Sequence, residues 1–382
     1  LFFLVIVDTI NGFFLNKGME SSIGIIFKAF ILSVAFKILC SSPRFKGLLF
    51  FTVIYIPAFL LLVILNTDSQ IVPTINHLLK FVNVVFKSES IQEKDIQVIF
   101  YINSIVLLLN IYSGLLGVGY YAYGEGWGCK GFMYAHNEMS GMQAVLYGVS
   151  YYFIYNRYVT KKIILLVVNL LFLILVTTKA GILLVLTSLI LVPFVHMKYG
   201  IFRSFLKMSK IKLIVLLSII CVVSYCGYAL LEYSGAIDRW TYFFDKDGVN
   251  AIYSSRDTFW EEERVEWEEG NIVVKLFGMG GARTVEMDQA DTLLNYGIVG
   301  LIIVYSFYFS LIVKAFRYRE KSQYAKFVFG MDIFILAASC FAGHLLFSGL
   351  MGIPFALMNA LIFSPKMQAA SNMENRYCNC RN

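Results

Sequence analysis

Charge at the edge of an apolar run is costly and needs a reason, so chemistry in this sequence is sought where charged side chains meet apolar runs. Four such places stand out. The turn Thr177-Thr178-Lys179-Ala180-Gly181 sets a cation between two apolar runs. Lys179 either snorkels to the interface or offers its ammonium to a diphosphate held at the membrane surface. Arg256 opens a polar helical pattern, and its guanidinium fork suits phosphate oxygens. The stretch from Gly278 to Asp291 runs through a glycine turn and Arg283 to three acids, Glu286, Asp288 and Asp291, just before an apolar run begins. A carboxylate partly desolvated there would serve as a general base; equally, these acids would favour the positive end of the helix that follows. His344, in Phe341-Ala342-Gly343-His344-Leu345-Leu346-Phe347-Ser348, either bonds to a neighbouring helix or lines the same cavity as Lys179.

The acids belong to the one long polar stretch, 232–292, which holds fourteen acidic and six basic residues. Its formal charge of −8 leaves +15 on the rest of a chain whose total is +7. Basic loops stay in the cytoplasm, so this acidic loop is expected to face outward. Within it, Ser254 followed by Asp257 resembles a helix start, and Gly270 is a natural stop. On that helix Trp260, Arg264 and Trp267 share a face. Trp260 and Trp267 read either as interfacial aromatics or as platforms for sugar rings, and Trp127 reads as interfacial.

The elements that must position these residues are membrane helices. The chain of 382 residues is 58% hydrophobic and only 15% charged, against roughly 25% charged in soluble domains. The expected fold is all-α, a polytopic transmembrane bundle of about 12 spans, forming one integral membrane domain over 1–382. Candidate spans are 1–15, 23–39, 48–65, 71–87, 96–118, 134–154, 163–177, 180–195, 212–231, 293–313, 327–345 and 348–363. The short basic loops after the second, sixth, eighth and tenth of these are expected in the cytoplasm. Segment 71–87, with His77, Lys80 and Asn83 along one side, must cross for the orientations to alternate; a surface-lying helix is its rival. Both termini, including the tail 364–382, are then cytoplasmic. Cys378 and Cys380 form a pair too small for a metal site, and no metal or nucleic acid is expected.

Taken together, several motifs resemble the O-antigen polymerase and O-antigen ligase superfamily of bacterial inner membranes. They are Gly131-Phe132-Met133-Tyr134-Ala135-His136-Asn137-Glu138, the Lys179 turn, Ser255-Arg256-Asp257 in a long outer loop, and Phe277-Gly278-Met279-Gly280. Glu286 and Asp288 then stand eleven and nine residues before Gly297-Ile298-Val299-Gly300, and Ala342-Gly343-His344 follows. The resemblance covers the chain from about Gly131 onward. It implies a metal-independent glycosyltransferase without cofactor, acting at the periplasmic face on oligosaccharides carried by undecaprenyl diphosphate. It also implies that cations at the membrane surface and in the outer loop bind the diphosphate. Lys179 stands where many members have arginine in a Ser-x-Arg turn, and Arg256 stands at the loop position. Ligases carry a histidine before the Gly-x-x-Gly span; this chain has Glu286, which favours a polymerase.

The expected assignment is Glu286 as the base, with Asp288 and Asp291 as substitutes. Lys179 and Arg256 are assigned to the diphosphate, with Arg239, Arg283 and His344 assisting and Trp260 against sugar. A ligase-type transferase and a polysaccharide-unit transporter or flippase are the alternatives. The bilayer is one expected partner, and a chain-length regulator and a flippase are further candidates.

Overall fold

The computed structural model describes residues 3–19, 93–122, 128–155, 159–196 apart from 177, 256–279 and 284–363, with scattered positions between 21 and 33 and between 218 and 241. The expected spans 48–65 and 71–87, most of 23–39 and 212–231, the tail 364–382, and Trp127, Arg239 and Arg283 lie outside the described residues.

What is described is mainly helix. In chain order come α1 (Leu4–Asn16), α2 (Glu93–Leu115), a hairpin of β1 (Tyr120–Tyr121) and β2 (Cys129–Gly131), then α3 (His136–Ile154), α4 (Val159–Val176) and α5 (Lys179–His196). The polar α6 (Arg256–Glu269) and the short α7 (Ile272–Phe277) follow. The chain closes with α8 (Asp288–Tyr318), α9 (Gln323–Ser339), α10 (Gly349–Ala360) and a 3₁₀ turn, Leu361–Phe363. Among the described residues, Ile96–Gly114 of α2, α5 and α8 are long and apolar enough to cross a membrane. The four expected spans 134–154, 163–177, 327–345 and 348–363 fall on α3, α4, α9 and α10. Of these, α10 is 12 residues long, about 18 Å at 1.5 Å per residue, short of a bilayer core of roughly 30 Å.

Helix α3 is the centre of the bundle: all but a few of its residues are buried. Small residues let its neighbours approach. A Cβ at Gly148 would meet Ser188 of α5 at 2.7 Å, and one at Gly141 would meet Met351 of α10 at 2.6 Å. Polar groups tie the helices where no water can. Gln143 of α3 donates to Asn169 of α4 and, at 3.3 Å, to Ser104 of α2. The outer surface is the reverse of a soluble protein's. Leu183, Leu186, Ile190 and Phe194 are exposed along one stripe of α5, and Ile298, Ile302, Phe309 and Phe316 along one of α8. Contiguous exposed apolar stripes of this kind are stable against lipid tails rather than water, which is consistent with a membrane setting.

Helices α8 and α9 depart from the expected 293–313 and 327–345. Helix α8 starts earlier, at Asp288, and breaks at Gly297, whose φ of 65° and ψ of −169° are non-helical. The break frees the Leu294 carbonyl, which accepts the Met279 N–H at 2.7 Å. Here the end of α7 lies backbone to backbone on α8. A Cβ on Gly278 would sit 2.4 Å from the Asn295 carbonyl carbon, and one on Gly297 would sit 2.4 Å from that of Leu276. Helix α9 stops at Ser339, six residues early; the N–H groups of 340–342 still turn back onto Ala337 and Ala338, and the Asp288 carboxylate then accepts those of His344, Leu345 and Leu346 and holds 340–348 as a loop.

Candidate functional site

The site begins at the first residue of α6. Arg256 spreads its fork between two loops: Nη2 contacts the Glu286 Oε2 at 2.9 Å and Nη1 donates to the Phe341 carbonyl at 2.8 Å. Its side chain is 11% exposed, against 48% for Glu286; the cation is sheltered and the carboxylate faces outward. Its Nε–H is buried and takes no hydrogen-bond partner among the described residues. A cation in the first turn opposes the helix dipole, and the Glu286 carboxylate offsets it.

Both loops are strained at the place where they meet. Glu286 has a φ of 57° and His344 a φ of 65°, the two non-glycine residues in the left-handed region among those described. Each costs about 1 kcal/mol or more. Between them Gly343 lies flat on Glu286: a Cβ there would stand 2.5 Å from the Glu286 Cα. Strain of this kind persists only where surroundings over-determine it, and it gathers at functional sites.

Asp288 and Asp291 supply that over-determination. Asp288, 1% exposed, accepts from the N–H of His344 at 2.6 Å with one oxygen, and from Leu345 at 3.0 Å and Leu346 at 2.8 Å with the other. Asp291 accepts the Val285 N–H at 2.6 Å. The space between Asp288, Asp291, Asn295, Tyr296, His344 and Phe347 is about 10 Å³, roughly one water molecule and no sugar. These carboxylates brace the loops that carry Glu286 and His344. The small space beside them and the backbone N–H groups they accept make a bracing role the one their geometry supports.

Next to the ion pair runs an apolar groove of about 590 Å³ lined by Trp260, Met287, Ala290, Leu293, Leu301 and Tyr305, among others. Trp260 is one helical turn on from Arg256, and Met287 follows Glu286, so charge and groove are continuous. Trp260 and Trp267 also pack on a small core of Met279, Val285, Ala290 and Leu294. Arg264 pairs within its own helix with Glu261 and Glu268.

Lys179, the first residue of α5, is half-buried. Its turn joins the site through a chain of contacts. A Cβ on Gly181 would lie 2.8 Å from Ser140 on the first turns of α3. In that same region the buried Glu138 accepts the Ser348 hydroxyl at 2.5 Å. Ser348 in turn caps α10 by accepting the N–H of Leu350 and Met351. The starts of α3, α5, α6, α8 and α10 and the end of α9 thus meet at one end of the bundle. Sequence reasoning gave no role to Glu138 or Ser348, although an acid at the mouth of an apolar run and a serine before one were both readable. The Phe341 carbonyl leaves no trace in a sequence.

No group of three or more His, Cys, Asp or Glu side chains suited to a metal ion occurs among the described residues. Compared with protein-family models and with curated proteins, the chain matches none.

Proposed function

We propose that this chain is a membrane glycosyltransferase of the O-antigen polymerase type. It joins oligosaccharide units carried on undecaprenyl diphosphate, within a bundle of about 12 spans whose 232–292 loop is periplasmic. The observation that carries the reading is the joining of a sheltered guanidinium and an exposed carboxylate to an apolar groove open along the membrane flank of α8. That arrangement suits an amphiphile with an anionic head, an apolar tail and a reacting hydroxyl near the head.

In the proposed reaction the acceptor hydroxyl oxygen attacks the anomeric carbon of the donor sugar. Its proton passes to Glu286. The bond from that carbon to the diphosphate oxygen breaks, and the electron pair leaves with the diphosphate. Attack opposite the leaving group inverts the anomeric centre. Arg256, with a spare buried Nε–H beside its bond to Glu286, receives the developing charge; a preorganised donor of this kind is worth about 10²–10³ in rate. Its bond to Glu286 sets base and leaving-group site at a fixed distance. Lys179 is the second cation of the same end, and Trp260 flanks the groove.

The test is the surface-polysaccharide ladder, resolved on gels, of a strain lacking the gene and complemented with wild type, Glu286→Gln or Arg256→Ala at matched protein levels. Wild type restores the ladder, and each variant leaves single units on the lipid core. Complete loss of attached units in the null strain would point to a ligase or a flippase, and an intact ladder without the gene would overturn the reading.

A further inference from the structure

Away from this site, α9 carries a carboxylate deep in the bundle. Asp332 is 2% exposed and Asn359 of α10 is 5% exposed. Asn359 Nδ2 donates to Asp332 Oδ1 at 3.0 Å and to the Phe355 carbonyl at 3.3 Å. Both amide hydrogens are thereby used. Two oxygens of the pair, Asp332 Oδ2 and Asn359 Oδ1, are buried and accept nothing among the described residues. The two residues before Asp332 pack on uncharged groups: Gly330 on Leu191 of α5, and Met331 on Ser188, whose hydroxyl it receives at 3.3 Å. Asp332 makes no salt bridge among the described residues.

An ionised carboxylate left this way would be a buried charge with one neutral hydrogen bond, which is prohibitively costly. Two orphaned acceptors on the same pair of side chains need one thing, a shared hydrogen. We propose that Asp332 is a proton-binding site within the membrane: it is held as the neutral carboxylic acid and pairs cyclically with Asn359. In that pair Asn359 N–H donates to Oδ1 and Asp332 Oδ2–H donates to Asn359 Oδ1. A metal cation is a poorer occupant, since hard cations take about six or more oxygens and only these two stand unused. The pair fastens α9 to α10, the helices on either side of the 340–348 loop.

The cyclic pair makes a distinctive demand. Asparagine at 332 reproduces both hydrogen bonds, with its own Nδ2–H in place of the acid's O–H, whereas leucine reproduces neither. Purified protein in detergent is examined by infrared difference spectroscopy after carbon-13 labelling of aspartate. A carbonyl stretch of a protonated carboxyl group is present in wild type and lost in Asp332→Asn. Asp332→Asn melts with wild type, and Asp332→Leu and Asn359→Leu melt lower. A missing band overturns the proposal, as does Asp332→Asn melting as low as Asp332→Leu or failing to fold at all. Sodium raising the melting temperature of wild type but not of Asp332→Asn, relative to choline, would also overturn it and make the site a cation site.

Discussion

At the residue scale, three acids spaced within six positions sit in two different settings, and burial separates them. Glu286 is half exposed and meets a guanidinium, whereas Asp288 is buried and meets three backbone N–H groups. Neutralising each should therefore fail differently. Asp288→Asn keeps one acceptor oxygen and turns an NH₂ toward backbone donors, leaving buried N–H groups unsatisfied at about 1–3 kcal/mol each. We expect a lower melting temperature in detergent, with activity falling in step with the folded fraction. Glu286→Gln should instead lower the melting temperature less than Asp288→Asn while abolishing polymer formation, because glutamine still offers an acceptor oxygen to the sheltered Arg256 fork, whereas losing a general base costs about 10²–10⁴ in rate. Equal thermal losses in the two variants would show that Glu286 too is only a brace. The sequence made the cluster visible, since charge at the edge of an apolar run is conspicuous. It could not apportion the roles, because the groups that occupy Asp288 lie 56 to 58 residues away.

At the element scale, hydropathy located helices and missed how they end. Apolar content continues from α9 through Leu346, so the run reads as one span to 345. The helix stops at Ser339, a remote carboxylate accepts the N–H groups of 344–346, and Gly343 permits the close approach to Glu286. Likewise Gly297 sits inside an apolar pattern and reads as helix interior, yet it is the hinge on which α7 docks. The docking rests on backbone, which cannot rotate out of the way. Gly297→Ala would place a methyl group 2.4 Å from the Leu276 carbonyl and would also hold alanine at a φ of 65°. We expect it to undock α7, seen as faster hydrogen exchange across 272–279 and loss of polymer, with the amides of α3 unchanged. Slow exchange across 272–279 in that variant would mean that the break in α8 can straighten without releasing α7. The end of α6 was legible in Gly270, because that signal is local, while the expected cap at Ser254 lies outside the described residues.

At the scale of the whole molecule, composition is enough to say membrane, and the structure adds a polarity. The loop after α8, at Arg319–Ser322, and the loop 340–348 lie at opposite ends of α9, and the site is at the second. From loop charge we expect the first, where Lys321 is exposed, to face the cytoplasm, and the second, together with α6, to face outward. Single cysteines at Lys321 and at the exposed Thr258 of α6, each in an otherwise cysteine-free chain, report this directly. In intact spheroplasts a membrane-impermeant maleimide should label Thr258→Cys at once and Lys321→Cys only after the membrane is opened. The opposite pattern would put Arg256 and Glu286 in the cytoplasm, where units already exported on their lipid carrier cannot reach them. The polymerase reading would then fall, while the helix packing, the braces and the Asp332–Asn359 pair would stand, since none depends on which side of the membrane the site faces. Labelling of both positions in intact spheroplasts would mean that α9 does not carry the chain across, and would remove the membrane-spanning assignment of that helix.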